Sequence, residues 1–206
     1  MIVIIDYGVG NLASVKNALD QLGVSSVVSN SSEKIRKAKG MIFPGVGAAN
    51  TGMNNLKEGG LDETIISTIK AGKPLLGICL GMQLLMSFSE EGNVDCLNVI
   101  SGKVKRFKTK FKVPQTGWNQ VEINNDSKLF TGIKNDSSFY FINSYYCDPT
   151  VKTIIKGVTT YEHMFCSALE KNNIFGVQFH PEKSGDNGLQ LLKNFTDIVY
   201  ENTTGN

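Results

Sequence analysis

Gly77-Ile78-Cys79-Leu80-Gly81 places a thiol between two glycines, where the apolar run Pro74 to Ile78 gives way to the helix-like Met82-Gln83-Leu84-Leu85-Met86. A sharp strand-to-helix turn forces unusual backbone angles on a nucleophile, and flanking glycines remove the side chains that would collide there. The helix N-terminus that follows favours a thiolate through its free N–H groups and dipole. A cysteine nucleophile also needs a base. The chain has two histidines, His163 and His180. His180 stands in Gly176-Val177-Gln178-Phe179-His180-Pro181-Glu182, where an apolar strand ends and a proline stiffens the exit, so imidazole and carboxylate are held near one strand terminus. Glu182 can then orient the ring and stabilise the imidazolium, as the acid does in a Ser-His-Asp triad. His163, between two strand-like segments, reads as an exposed turn residue, which makes His180 the expected base. The plainer alternatives are a buried structural cysteine, a satisfied core histidine and a solvated loop carboxylate. Position at the C-terminal end of a strand favours the chemical reading of Cys79.

A third piece is Phe43-Pro44-Gly45-Val46-Gly47, again at a strand end. A glycine-rich turn lets backbone N–H groups face a developing oxyanion without obstruction, and the N–H of Leu80 supplies a second donor. Alone, Pro-Gly-x-Gly is only a turn signal; its meaning comes from its neighbours.

The elements that must position these residues follow from apolar periodicity. Strands are expected at Ile2 to Ile5, Val24 to Ser29, Gly40 to Phe43 and Pro74 to Ile78. Helical spacing joins Leu12, Val15, Leu19 and Leu22, and again Ile65, Ile66 and Ile69. Asn30 with Glu33 three residues on resembles the capping of another short helix. After about residue 95 the pattern turns β-rich, with strands expected at Gly117 to Ile123, Phe139 to Ile142, Thr153 to Thr159, Met164 to Leu169 and Ile174 to Phe179. An amphipathic helix over Gly188 to Tyr200 closes the fold, and Glu201 to Asn206 is expected to fray. Alternating strands and helices in the first half predict an α/β architecture on a parallel sheet.

With 206 residues and 41% apolar content, the chain can bury one sizeable core, so a single domain over 1–206 is expected. A net charge of +2 lacks the strong positive field of a nucleic-acid binder. No apolar run is long enough for a bilayer, and the start Met1-Ile-Val-Ile-Ile-Asp6 has no signal-peptide pattern. Four widely spaced cysteines, Cys79, Cys96, Cys147 and Cys166, then read as reduced thiols in the cytoplasm. No metal or cofactor is expected. Gly8-Val9-Gly10-Asn11-Leu12-Ala13 meets the loose form of a dinucleotide fingerprint, but the second strand ends in Ser29-Asn30 with no acid for a ribose, so a tight turn into a helix is the better reading. The basic stretch Lys103 to Lys112, with interleaved aromatics, reads as a solvated strand face.

Taken together, the elbow Gly77 to Gly81, the Phe179-His180-Pro181-Glu182 strand end and the Pro44 to Gly47 turn resemble those of class I glutamine amidotransferases. Within that group, Asp6-Tyr7-Gly8-Val9-Gly10-Asn11, Gly117-Trp118-Asn119, Phe139-Tyr140-Phe141, Ser144-Tyr145-Tyr146 and His180-Pro181-Glu182-Lys183-Ser184 are similar to the glutaminase subunits of imidazole glycerol phosphate synthases. The resemblance implies a flavodoxin-like sheet with helices on both faces and a β-rich C-terminal half. It implies L-glutamine as substrate, Cys79 as nucleophile, His180 as acid/base and Glu182 as its orienting partner. Gly45, Val46 and Leu80 would surround the oxyanion, and Gln83, Ser144 and Tyr145 would hold the amino-acid end. Trp118, Tyr140 and Lys183 would face a cyclase subunit, a barrel protein that receives the ammonia in a heterodimer and uses it in histidine synthesis. One position departs: a histidine is usual where this chain has Asn143, and the amide keeps hydrogen-bonding capacity without a titratable ring. The alternatives are a paralogous subunit that supplies ammonia for amidation of a bacterial surface sugar, a catalytically silent binding module, and a free-standing cysteine peptidase.

Overall fold

The computed structural model describes residues 1–124 and 126–201, so the polar tail after Glu201 lies outside the described residues. In chain order the strands are β1 (Ile2–Ile5), β2 (Ser26–Ser29), β3 (Gly40–Gly45), β4 (Leu75–Cys79), β5 (Phe88–Ser89), β6 (Val94–Asp95), β7 (Gly102–Arg106), β8 (Gln115–Ile123), β9 (Ser137–Asn143), β10 (Tyr145–Pro149), β11 (Ile155–Tyr161), β12 (His163–Lys171) and β13 (Ile174–Val177). The helices are α1 (Leu12–Gln21), α2 (Ser32–Lys37), α3 (Ala49–Glu58), α4 (Leu61–Lys70), α5 (Leu80–Leu84) and α6 (Gly185–Glu201).

The parallel core runs β2-β1-β3-β4-β13, the doubly wound order of flavodoxin-like folds. Period-two alternation splits its side chains between two cores. Val3, Ile5, Met41 and Phe43 pack with α2, α3, α4 and α5, whereas Ile2, Ile4, Ile42 and Ile78 pack with α1 and α6. Helices therefore cover both faces. Beyond β13 the sheet turns antiparallel through β12, β10 and β7, and β11 carries the β8–β9 hairpin as a branch.

Several boundaries differ from the sequence expectation. The second strand starts at Ser26 rather than Val24, and the third runs on through Pro44 to Gly45 because β4 pairs with it that far. The cap of α2 is Ser31, whose side chain accepts from the Lys34 N–H at 3.4 Å, so Asn30 is not the cap. Residues Lys152–Ile154 form a 3-10 turn before β11. The basic stretch is strand only to Arg106, with Val104 buried and the lysines beside it outward. Helix α6 starts at Gly185, ahead of the expected Gly188, and includes Glu201. Helix α3 and the short strands β5, β6 and β10 have no counterpart in the sequence reading.

No helix among the described residues is long and apolar enough to cross a membrane.

Candidate active site

Strands β3, β4 and β13 are neighbours, and their C-terminal ends bring the expected residues together. Gly45 pairs in register with Cys79, and Ile78 with Val177. Cys79 sits at φ 53°, ψ −110°, a conformation that costs a residue with a β-carbon free energy and that the surrounding structure must hold. The two glycines of the elbow are there because nothing larger fits. A β-carbon on Gly81 would lie 1.7 Å from the Phe43 carbonyl oxygen, and one on Gly77 would lie 2.8 Å from the Met82 nitrogen. The helix after the elbow, α5, starts at Leu80 and lasts five residues.

The chain leaves β13 through Gln178 and Phe179 to His180. Pro181–Lys183 form a 3-10 turn that brings Glu182 back onto the ring, with His180 Nδ1 and Glu182 Oε1 2.9 Å apart. Ser184 fastens this turn: its hydroxyl donates to the His180 carbonyl at 2.6 Å and accepts from the Tyr140 N–H at 3.0 Å. Cys79 is the other side chain that acts on the imidazole. Burial on its own depresses the pKa of His180, but the Cys79 and Glu182 side chains outweigh it and raise the value to about 10. The second oxygen of Glu182 is buried without a partner.

Cys79 and His180 line a cavity of about 320 Å³, within the range of small-molecule sites. Val46, Leu80, Gln83, Ser144 and Tyr145 line it too. Gly45 does not. It lies behind the wall, where a β-carbon would meet the Tyr7 hydroxyl at 2.2 Å and Leu80 Cβ at 2.9 Å. Three lining residues went unassigned from sequence. Glu91 reaches in from the turn after β5, accepts from the Ala49 N–H at 2.9 Å and has its pKa raised by burial. Pro114 and Ile142 complete the apolar part. Asn143 also lines the cavity; its Nδ2 donates to the Tyr145 carbonyl at 2.9 Å, while its Oδ1 is buried without a partner.

Trp118 and Tyr140 are cross-strand partners on β8 and β9, with ring centroids 6.0 Å apart in edge contact. Trp118 is 59% exposed and Lys183 is exposed, so all three residues expected at a partner surface lie outside the cavity on the triad side. His163 differs from expectation: it is the first residue of β12, half-buried against the rings of Phe107 and Tyr146, and the turn is made by Glu162 at φ 63°. Gly8 and Gly10, both at positive φ, make the tight turn into α1. Among the described residues, no three His, Cys, Asp or Glu side chains cluster closely enough to hold a metal ion.

A flavodoxin-like sheet with a cysteine elbow between two strand ends is the architecture of amidotransferases that cleave glutamine. The family model described as glutamine amidotransferase class-I matches residues 3–199, and the chain belongs to that family. Its relatives narrow the group. The imidazole glycerol phosphate synthase subunit HisH of Moorella thermoacetica is 48% identical over 96% of this chain and 95% of its own length. The subunit of the same name from Chlorobaculum tepidum is 48% identical over 96% of this chain and 100% of its own. A crystal structure of a glutamine amidotransferase superposes with a TM-score of 0.78 at 18% identity, covering 97% of this chain and 100% of the other, which reports on the fold alone.

Proposed function

We propose that this chain is the glutaminase subunit of an imidazole glycerol phosphate synthase, hydrolysing L-glutamine to glutamate and ammonia and passing the ammonia to a cyclase subunit in histidine biosynthesis. The observation that carries the reading is the buried His180–Glu182 pair, 2.9 Å apart, with its ring against Cys79 at the cavity wall. The names of the relatives support the choice of synthase.

The chemistry follows from the groups present. Cys79 passes its proton to His180, and its sulfur attacks the carboxamide carbon of glutamine. The oxygen of the tetrahedral intermediate takes up negative charge, for which the N–H groups of Val46 and Leu80, two residues that line the cavity, are the proposed donors. Imidazolium is the form that gives a proton to the departing nitrogen, and the raised pKa of His180 keeps it in that form at neutral pH. Ammonia leaves, a thioester remains, and water deprotonated by His180 hydrolyses it to glutamate.

Specificity for an amino acid rests on acceptors. Both protons of Gln83 Nε2 are engaged, on the Tyr145 carbonyl at 3.2 Å and on Gln178 Oε1 at 2.9 Å, so Gln83 can offer the cavity only its oxygen. Asn143 likewise has an oxygen to spare, and Glu91 adds a carboxylate. Three acceptors lining one cavity suit an ammonium group, and Ser144 and Tyr145 line it with them. Trp118, Tyr140 and Lys183 form the face offered to a barrel-shaped cyclase, which makes the working unit a cytoplasmic heterodimer.

The test is turnover of glutamine against peptide amides by the purified chain with its co-expressed cyclase, together with acceptor-dependent formation of imidazole glycerol phosphate. Glutamine hydrolysis without support of that product would move the assignment to a paralogous subunit serving a surface sugar. Peptide cleavage in place of glutamine hydrolysis would overturn it.

A further inference from the structure

Gln178 follows β13 and is completely buried between two core residues, Val177 and Phe179. Its side chain is the middle of a relay of amides that ends on sulfur: Gln83 Nε2 to Gln178 Oε1 at 2.9 Å, then Gln178 Nε2 to Cys79 Sγ at 3.6 Å. The direction of this relay is fixed from its far end. A backbone carbonyl can only accept, so Gln83 must present Nε2 to the Tyr145 oxygen, 3.2 Å away. Its second proton then falls to Gln178 Oε1. The Gln178 amide can satisfy that bond in one orientation only, which turns its own NH₂ toward the sulfur. Sγ also lies 3.8 Å from the Ile142 carbonyl oxygen, an acceptor that a thiol can use and a thiolate cannot. Once the sulfur has lost its proton, the Gln178 N–H is therefore the side-chain donor left to it besides the His180 ring.

We propose that Gln178 is a further catalytic residue: its N–H holds the anionic sulfur of Cys79 in line with the cavity, and Gln83 acts on the sulfur only through it, as a positioning residue. The proposal rests on Cys79 being the nucleophile. A donor to a charged sulfur acts at two moments. It favours passage of the thiol proton to His180, and it assists expulsion of the sulfur as thiolate when the thioester is hydrolysed. A fully buried amide is also costly to leave unpaired, which explains why both of its ends are occupied.

Two variants separate this role from mere packing. Gln178→Glu keeps an acceptor for Gln83 but replaces the donor to sulfur with a carboxylate oxygen; Gln178→Met is apolar, similar in length, and removes both. Each is measured in the full chain, for the rate of Cys79 alkylation by iodoacetamide at neutral pH and, with the cyclase subunit present, for kcat and KM with glutamine. Alkylation should slow by about tenfold, and kcat should fall on the order of a hundredfold, the scale of a lost donor to a charged centre, while KM changes little. A folded Gln178→Glu protein with parental alkylation and parental kcat would show that Gln178 only braces Gln83, and would overturn the proposal. If that variant does not fold, Gln178→Met decides by the same two readouts. Cys79→Ala runs beside them: turnover surviving in that control would mean that the nucleophile is misassigned, a failure distinct from that of Gln178.

Discussion

The backbone N–H of His180 donates to the carbonyl oxygen of Tyr140 at 2.9 Å, so His180 is anchored to the strand whose outward ring meets Trp118. Ser184 ties the same two segments together from the other side, through the Tyr140 N–H and the His180 carbonyl. A partner that pressed on the exposed Trp118 and its half-buried neighbour Tyr140 would thus act one hydrogen bond away from His180.

Cys79→Ala should abolish glutamine turnover, because only the sulfur can form the thioester. The protein should fold as before, since the elbow is held by Gly77, Gly81 and the β4 pairing. Cys79→Gly should be inactive and more stable than the parent by about 1 kcal/mol, because glycine adopts the φ of 53° without strain. Urea unfolding of the two variants checks the stability, and a coupled glutamate assay checks the activity.

The raised pKa of His180 makes a signed prediction. Its folded value, about 10, lies above the ordinary histidine value of about 6.5 expected in the unfolded chain. Protonated His180 therefore contributes stability that is fully present below about pH 6.5 and is lost as the pH rises through 10. The unfolding free energy of the parent should fall between pH 7 and pH 10 more steeply than that of His180→Gln. NMR titration of the ring in Cys79→Ala should show a lower pKa, because burial then acts with less opposition. An unchanged value would mean that the sulfur has no part in raising it.

How much of this could be read in the sequence depended on how local the signal was. The elbow was legible because a strand-to-helix turn around a nucleophile needs glycines at fixed offsets, and Gly77 and Gly81 are adjacent to what they serve. His180 and Glu182 were legible because proline and strand end confine both within three residues. Glu91 was not: it reaches the cavity only because β5 and β6 fold back beside α3, a placement decided by long-range pairing. Gln178 misleads in the opposite way. A polar residue between Val177 and Phe179 looks like an outward one, but strand alternation puts Gln178 on the same face as Ile174 and Gly176, which α5 covers, and it is completely buried. His163 looked like a turn because Glu162 is one; the rings that receive it, Phe107 and Tyr146, are distant in the chain.

Reactivity should separate the four cysteines. Burial pushes the Cys96 and Cys166 thiols up to about 12, and Cys147 well above its ordinary value, so at neutral pH these three hold almost no thiolate. A glutamine-mimicking electrophile should modify Cys79 first and leave the other three unlabelled in the folded protein. Peptide mass mapping after partial labelling would show the order, and early modification of Cys96 would contradict it.

Two glycines should respond very differently to alanine. At Gly81 the new β-carbon meets the Phe43 carbonyl oxygen at 1.7 Å, a backbone atom that cannot rotate away. Gly81→Ala should lose upward of about 3 kcal/mol of stability or fail to fold. At Gly47 there is open space and the cost is conformational, from a φ of +106°, which amounts to about 1 kcal/mol. Denaturant midpoints for the two variants measure the contrast.

Control by the partner is the last expectation. An amidotransferase that hydrolysed glutamine with no acceptor ready would waste nitrogen, so its oxyanion donors should be arranged fully only in the complex. The turn that would supply one of them is suited to this. Gly45 is fixed in β3 by its pairing with Cys79, but the chain leaves the sheet at Val46, which is 42% exposed, and Gly47 follows at positive φ. The peptide between Gly45 and Val46 can therefore rotate at little steric cost, and partner binding can select the orientation whose N–H faces the oxyanion. The isolated chain should be nearly inactive, and the acceptor-loaded cyclase should raise kcat on the order of a hundredfold, the scale of one recovered oxyanion donor. The KM for glutamine should move far less, because the acceptors of Gln83, Asn143 and Glu91 are in place before the turn rearranges. Gly47→Ala, which restricts the turn, should reduce the stimulation more than it changes basal turnover. Equal turnover with and without the cyclase would show that the isolated chain already holds its oxyanion site assembled.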